Sequence, residues 1–160
     1  MEWGHVAAEN NGEHRRMFRT KFYITSMGNL ASMYRNQGRW NEAKLLEVQA
    51  MELSKKLFGP VHLDILTSMA NLACTYWSQG RWNEAESLEV QVMKMRKKWL
   101  GPEHPDTLTS MENLASTYRY QSRWNEAEQL RDQVMKMSKK LFGPEHPDMI
   151  NSMADMTSIY

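Results

Sequence analysis

Three histidines recur at an interval of 42 residues, and a carboxylate follows each of them two positions later. The pairs are His62 and Asp64, His104 and Asp106, and His146 and Asp148. Imidazole and carboxylate are zinc ligands, but successive copies packed as neighbouring helices lie about 10 Å apart, too far for one ion to bind two of them. We therefore predict that these residues start helices, and that the chain holds no metal or other cofactor.

The single cysteine, Cys74, is the second candidate for chemistry. No histidine partner is fixed by its spacing, and serine occupies the same position one repeat earlier and one repeat later, at Ser32 and Ser116. A small polar side chain is therefore a better interpretation than a nucleophile. Neither the phosphate-binding pattern GxxxxGK nor the serine-nucleophile pattern GxSxG occurs in the sequence. We predict that the protein is not an enzyme.

Composition restricts the partners and the compartment. The chain has 20 basic and 19 acidic side chains and a net charge of +1 at pH 7, so its overall charge gives no reason to expect a nucleic acid. A single cysteine does not form a disulfide scaffold and is typical of a reducing, cytoplasmic location. No apolar run reaches the roughly 18 residues that span a bilayer. We expect neither a membrane nor a nucleic acid as a partner.

The histidines belong to a longer repeat with the same period. Thr25-Ser26-Met27 returns as Thr67-Ser68-Met69 and as Thr109-Ser110-Met111, and tryptophan returns at positions 40, 82 and 124. A period of this length indicates one supersecondary unit that is stacked several times. Residues 19–160 accommodate three repeats and the start of a fourth. Residues 1–18 match the repeat poorly and are polar, so we expect a flexible segment there.

Each repeat contains two stretches with the apolar spacing of a helix. In the second repeat, helix A is defined by positions i, i+3, i+4 and i+7, which are Met69, Leu72, Ala73 and Tyr76. A break at 79–81 precedes helix B, which has acids near its start and lysines near its end, as the helix dipole favours. Gly-Pro pairs at 59, 101 and 143 end helix B. The sequence predicts an all-α solenoid of stacked helical hairpins with about seven helices.

Helix A and the turn Gln79-Gly80-Arg81 resemble the tetratricopeptide repeat, in which helix A carries a large residue, Leu, a small residue and Tyr. The usual period is about 34 residues; the longer period here and the turn 100–106 resemble the kinesin-light-chain class and similar high-identity fungal arrays. The resemblance covers residues 25–160. It implies a right-handed superhelix of the tetratricopeptide repeat (TPR) type. It also implies a protein interaction scaffold that holds an extended peptide in a concave groove. The alternative is a truncated sensor or structural fragment of a larger receptor, without a ligand of its own.

The resemblance places one arc of helix A in the groove, beside the core arc. The core arc hardly changes between repeats, whereas Arg35, Trp77 and Arg119 share one position of the groove arc. We interpret this variation as selection of acidic peptides that carry a large apolar residue; drift of solvated positions is the alternative. The candidate groove residues are Asn29, Ser32, Arg35, Asn36, Asn71, Cys74, Trp77, Ser78, Glu112, Asn113, Ser116, Arg119 and Tyr120.

Asparagine is constant at three positions of this arc, 29, 71 and 113. A primary amide offers a donor and an acceptor, so such a ladder is able to pair with the N–H and C=O groups of an extended peptide. Grooves of the kinesin-light-chain type use asparagines in this way. An asparagine that bonds to a neighbouring helix and orients the stack is an equally good interpretation.

Two further surfaces are charged or apolar. Basic side chains cluster near the end of each helix B, and we interpret them as complements of the helix dipole rather than as a site for an anionic surface. On the predicted helix 148–160, an apolar stripe is formed by Met149, Met153, Met156 and Tyr160. An uncovered stripe favours association. We expect this helix to fold back as a cap or, as we prefer, to pair with a second copy in a homodimer.

Overall fold

A computed structural model describes residues 3–59 and 62–142, and the described chain contains helices and turns but no strand. The six helices are α1 (Trp3–Asn36), α2 (Trp40–Phe58), α3 (Leu63–Ser78), α4 (Trp82–Trp99), α5 (Pro105–Tyr120) and α6 (Trp124–Phe142). Helices A and B alternate as predicted. The predicted helix 148–160, the cap or homodimer that depends on it, and the pair His146 and Asp148 lie outside the described residues.

The first helix is longer than the repeat predicts. α1 begins at Trp3 and continues without interruption to Asn36, so the segment expected to be flexible is part of the same helix as the first helix A. Its flexibility stays a prediction. The physical reason for the continuity is the absence of proline before residue 60, whereas Gly-Pro pairs separate the later repeats.

The recurring histidines start helices, as predicted. The Nδ1 atom of His62 accepts a hydrogen bond from the main-chain N–H of Asp64, and Nδ1 of His104 accepts one from Asp106, both at 3.2 Å. Each bond satisfies an N–H group that the first helical turn leaves without a partner. Within the described residues, no group of three or more His, Cys, Asp or Glu side chains has the arrangement of a metal site.

The helices form two compact units, one up to Gln79 and one from Gly80. In the first unit α2 packs against both α1 and α3, and in the second unit α5 packs against both α4 and α6. Ile24, Met27 and Ala50 form a buried cluster in the first unit. A corresponding cluster in the second unit consists of Leu108, Met111 and Val134. The recurring methionines of helix A therefore fill the core.

The turns from helix A to helix B require a left-handed residue. After α1, Arg39 donates its main-chain N–H to the carbonyl of Tyr34 at 2.8 Å, and Gly38, with φ of 72°, donates to Arg35 at 2.9 Å. This is the Schellman arrangement, which favours glycine at the left-handed position. Ser122 takes that position after α5, with φ of 61°, and its turn has the same pair of bonds.

We predict that Ser122→Gly stabilises the protein by about 0.5–1 kcal/mol, because a glycine adopts the left-handed backbone without the steric cost that a serine Cβ adds. Urea denaturation followed by circular dichroism measures the difference. The reciprocal change Gly38→Ser should lower the midpoint. Equal midpoints for Ser122→Gly and the parent protein would show that the turn carries no strain.

A polar cleft in the first unit

A cleft of about 290 Å³ lies between α1 and α3, and α2 closes its inner side. α1 contributes Lys21, Ile24, Thr25, Gly28, Asn29, Ser32 and Arg35; α2 contributes Glu47, Ala50 and Phe58; α3 contributes Asp64, Thr67, Ser68 and Asn71. Most of these side chains are polar. The amphipathic spacing of the helices explains this, because each helix A turns its core arc toward α2 and leaves the adjoining arc to face the cleft.

Four of the predicted groove residues meet in this cleft: Asn29, Ser32, Arg35 and Asn71. The other four predicted residues of the first unit do not line it; they are Asn36, Cys74, Trp77 and Ser78. Gly28 lies opposite Asn71 across the cleft. A Cβ atom built on this glycine would lie 3.4 Å from Nδ2 of Asn71, so the two helices approach closely at the level of the two asparagines.

The amide groups of Asn29 and Asn71 have no hydrogen bond to any described side chain or main-chain group. By contrast, the hydroxyls of Thr25 and Ser68 bond to carbonyl groups of their own helices, of Lys21 at 3.1 Å and of Asp64 at 3.4 Å. The interpretation in which the asparagines orient neighbouring helices through hydrogen bonds therefore has no support in this unit. Both amides are available to a ligand.

An ion pair borders the cleft. Nζ of Lys21 lies 3.2 Å from Oδ2 of Asp64, and it joins α1 to the first turn of α3. The lysine is more than half exposed, so its pairing contributes little to stability. This edge of the cleft therefore carries one positive and one negative charge.

Arg35 has a role that its sequence position did not reveal. Its Nη1 pairs with Oε1 of the buried Glu47, and the same nitrogen lies 3.2 Å from the main-chain oxygen of Asn71 and 3.5 Å from Oγ1 of Thr75. The guanidinium thus joins all three helices of the unit. Selection of ligand side chains, which the sequence suggested for Arg35, competes with these internal contacts.

Burial raises the pKa of Glu47, and the Thr75 hydroxyl and the Arg35 guanidinium lower it only in part. The second carboxylate oxygen, Oε2, has no hydrogen-bond partner among the described residues. One signal for this buried carboxylate exists in the sequence. Glu47 follows Ala43 by four positions and precedes Ala50 by three, which puts it on the buried face of α2.

The second unit also has a buried carboxylate, but no cation pairs with it as Arg35 pairs with Glu47. Glu89 of α4 is buried, and among the described residues of this unit no lysine or arginine pairs with it. Burial raises its pKa, the Thr117 hydroxyl lowers it, and the nearby Glu86 raises it further. By position in the repeat Glu89 corresponds to Glu47, and the third repeat has Arg131 there.

The predicted groove residues of the second unit all lie on α5. Glu112, Asn113 and Tyr120 are exposed, and Ser116 and Arg119 are half-buried. The Tyr120 ring stacks on Trp82 of α4 with centroids 4.8 Å apart. As in the first unit, the asparagine amide, that of Asn113, bonds to none of the described residues.

The basic clusters at the helix B ends include several cations with internal partners. Lys55 pairs with Glu52 at 3.2 Å, Lys140 pairs with Glu103 at 2.5 Å, and Arg96 donates to the Ser110 hydroxyl at 2.8 Å. These contacts, together with the last-turn positions of the cations, agree with the dipole interpretation. None of the described helices has the length and apolar character needed to cross a membrane.

Comparison with known proteins identifies the repeat. The tetratricopeptide repeat family matches residues 22–98, and a second model of the same repeat matches residues 107–148. A search of curated protein sequences found no match.

Solved structures show the same architecture. The nearly identical TPR-like repeats of a kinesin light chain protein from Podosopora anserina match with 31% identity and a TM-score of 0.77, over 85% of this chain and 64% of the other. This chain therefore spans less than two thirds of that structure. BtubC (BKLC) from P. vanneervenii matches with 15% identity and a TM-score of 0.77, over 99% of this chain and 66% of BtubC. The TPR domain of Arabidopsis FLU matches with 16% identity and a TM-score of 0.65, over 76% of this chain and 98% of the FLU domain.

We predict that Glu89→Gln stabilises the protein at pH 7 by on the order of 1 kcal/mol, because the amide removes a buried charge that no cation offsets. The folded-state pKa of Glu89 is raised above the ordinary value of 4.5. The stability that the protonated carboxyl group contributes to the parent protein is therefore complete below pH 4.5 and is lost as the pH rises through the folded-state pKa. The advantage of the variant should vanish below pH 4.5 and grow toward pH 7.

Urea denaturation at a series of pH values measures this difference. Glu47→Gln is the matched control at the same repeat position. It should destabilise the protein at pH 7, because it leaves the guanidinium of Arg35 without its carboxylate. The explanation fails if the two glutamine variants change stability alike.

Proposed function

Because the chain belongs to the tetratricopeptide repeat family, we propose that it is a non-catalytic interaction module whose first-unit cleft holds an extended segment of a partner protein. One observation carries the proposal: the unbonded amides of Asn29 and Asn71 line the same cleft. Each amide offers an N–H donor and a C=O acceptor, as does each peptide unit of an extended chain. Pairing of this kind is independent of the ligand sequence and holds its backbone.

The remaining side chains of the cleft would restrict the ligand. Charges of both signs line it, with Lys21 paired to Asp64 and Arg35 paired to Glu47. A ligand residue with a single strong charge would therefore meet a like charge as well as an opposite one. The structure thus favours polar, uncharged ligand residues in the first unit, in place of the acidic peptides that the arginines alone suggested.

In the second unit, the proposed contacts are Asn113, Arg119 and Tyr120 on α5. The tyrosine ring is exposed and already stacked on Trp82, so it forms a rigid aromatic surface at low entropic cost. The side chain of half-buried Arg119 has no hydrogen bond to the described residues. Its guanidinium is thus the better candidate for binding an acidic ligand side chain.

We predict that the double change Asn29→Ala and Asn71→Ala weakens peptide binding at least tenfold without unfolding the protein, because each amide contributes about 1 kcal/mol through hydrogen bonds to the ligand. Peptides would first be captured from an array of random acetylated 12-mers, and their affinities then measured by fluorescence anisotropy. Asn125→Ala, an exposed asparagine of α6, is the control. Unchanged affinity of every captured peptide for the double variant would refute the amide contacts.

A second prediction separates binding from folding. Gly28→Met should fill the cleft at its narrow point and reduce the affinity of captured peptides at least tenfold. It should leave the protein folded, because the 3.4 Å contact of the new Cβ with Nδ2 of Asn71 is an ordinary van der Waals distance and methionine favours a helix by nearly 1 kcal/mol over glycine. Thermal melting and anisotropy measured on the same sample test both parts. Peptides that still bind the methionine variant with parental affinity would place their site outside the cleft.

A further inference from the structure

One face of α1 is exposed where the other A helices are covered. Its members Tyr23, Leu30 and Met33 are 59%, 39% and 57% exposed. The residues at the same repeat positions in α3 and α5 are no more than 4% exposed; they are Ile65, Leu72, Thr75, Thr107, Leu114 and Thr117. In each unit a B helix lies against these positions, α2 against α3 and α4 against α5. At the same repeat positions, this face of α1 could therefore pack against a helix.

The same face continues toward the amino end with two phenylalanines. Phe18 is 77% exposed and Phe22 is 70% exposed. At 100° per residue, these rings share an arc of about 140° with Tyr23, Leu30 and Met33. Both rings border an open groove of about 750 Å³ whose other wall includes Leu53 of α2. Contiguous exposed apolar side chains of this kind are typical of interaction sites.

Arginines accompany the exposed rings. Arg15 and Arg19 project from the same arc and Arg16 lies at its edge, and none of them forms an ion pair with a described residue. The sequence from 14 to 41 contains no aspartate or glutamate, and Lys21 already pairs with Asp64. We call the surface formed by Arg15, Arg16, Phe18, Arg19, Phe22, Tyr23, Leu30 and Met33 the aromatic-arginine face. Its charge is positive, and within residues 14–59 and 62–141 no acidic side chain pairs with its arginines. Arginine and aromatic residues together are enriched at the centres of protein interfaces.

We infer that the aromatic-arginine face binds an acidic amphipathic helix of a partner protein. The covered positions of α3 and α5 show that a helix fits this face, and the charge requires that its flanks be acidic. An apolar stripe on the partner helix would cover Phe18, Phe22 and Leu30. Glutamates or aspartates beside that stripe would pair with the arginines at distances where charge-assisted hydrogen bonds form. This site is separate from the polar cleft and does not depend on it.

A displayed library of helical 20-mers tests the inference. Leucine would be fixed at i, i+3, i+4 and i+7, and the other positions randomised among Glu, Lys, Gln and Ala. Selection on the intact chain should yield peptides enriched in glutamate beside the leucine stripe. The affinity of the selected peptide, measured by fluorescence anisotropy, should fall at least tenfold on Phe18→Ser with Phe22→Ser. It should fall as much when its glutamates become lysines, and weaken steeply with added salt.

Leu45→Ser, which alters an exposed leucine of α2, is the matched control and should leave the affinity unchanged. The inference is wrong if selection yields no binder, if the selected peptides lack an acidic bias, or if they bind the phenylalanine variant as well as the parent. Tighter binding to a dT20 oligonucleotide or to phosphatidylserine vesicles would assign the face to nucleic acid or membrane instead. A dimer in sedimentation that the phenylalanine variant abolishes would assign it to a second copy.

Discussion

The buried ion pair between Arg35 and Glu47 fixes the arrangement of the first unit. The guanidinium lies between α1 and α2 and also reaches the main chain and the Thr75 hydroxyl of α3, so one side chain holds three helices together. Removing either partner would leave an uncompensated charge in the interior, at a cost of about 3–5 kcal/mol. Because Asn71 accepts one of these bonds through its main chain, the same contact positions an amide that faces the cleft. The proposed ligand contact and the folding stability of the unit therefore depend on a shared element.

Local rules account for the part of the fold that the sequence predicts. The period of 42 residues, the alternation of helices A and B, and the helix starts at His62 and His104 all follow from short-range patterns of apolar, glycine and capping residues. The extension of α1 to Trp3 has only a negative signal in the sequence, the lack of proline and of a Gly-Pro break. The polar composition of this segment favours flexibility, but a helix that has already formed extends by one hydrogen bond per added residue and needs no apolar face to do so.

The candidate site was predictable in part. Helical spacing placed Asn29, Ser32 and Asn71 on the arc that faces the cleft, since that requires only a 100° step per residue. The internal pairing of Arg35 was not predictable in this way, because it depends on a contact with a second helix. The burial of Glu47 was predictable, because it is a charged residue at an apolar position of the helical pattern of α2. A buried carboxylate requires a donor, and Arg35 on the adjacent helix supplies one.

Near-identity between repeats does not make their environments equivalent. Burial raises the pKa of both glutamates, but Glu47 has the Arg35 guanidinium beside it, whereas the charge of Glu86 raises the pKa of Glu89 further. One substitution at a shared position, Arg35 in one repeat and Trp77 in the next, accompanies this change. The buried carboxylate of the first unit thus has a cation beside it, whereas that of the second unit has none among the described residues.

The unbroken course of α1 has a thermodynamic consequence. With 34 residues this helix is about 51 Å long, whereas its hairpin partner α2, with 19 residues, spans about 29 Å. A single continuous rod therefore carries a wall of the cleft on one arc and the aromatic-arginine face on another. Any ligand that displaces α1 from α2 would alter the adjoining arc as well, and linkage requires that each ligand change the affinity of the other by the same factor.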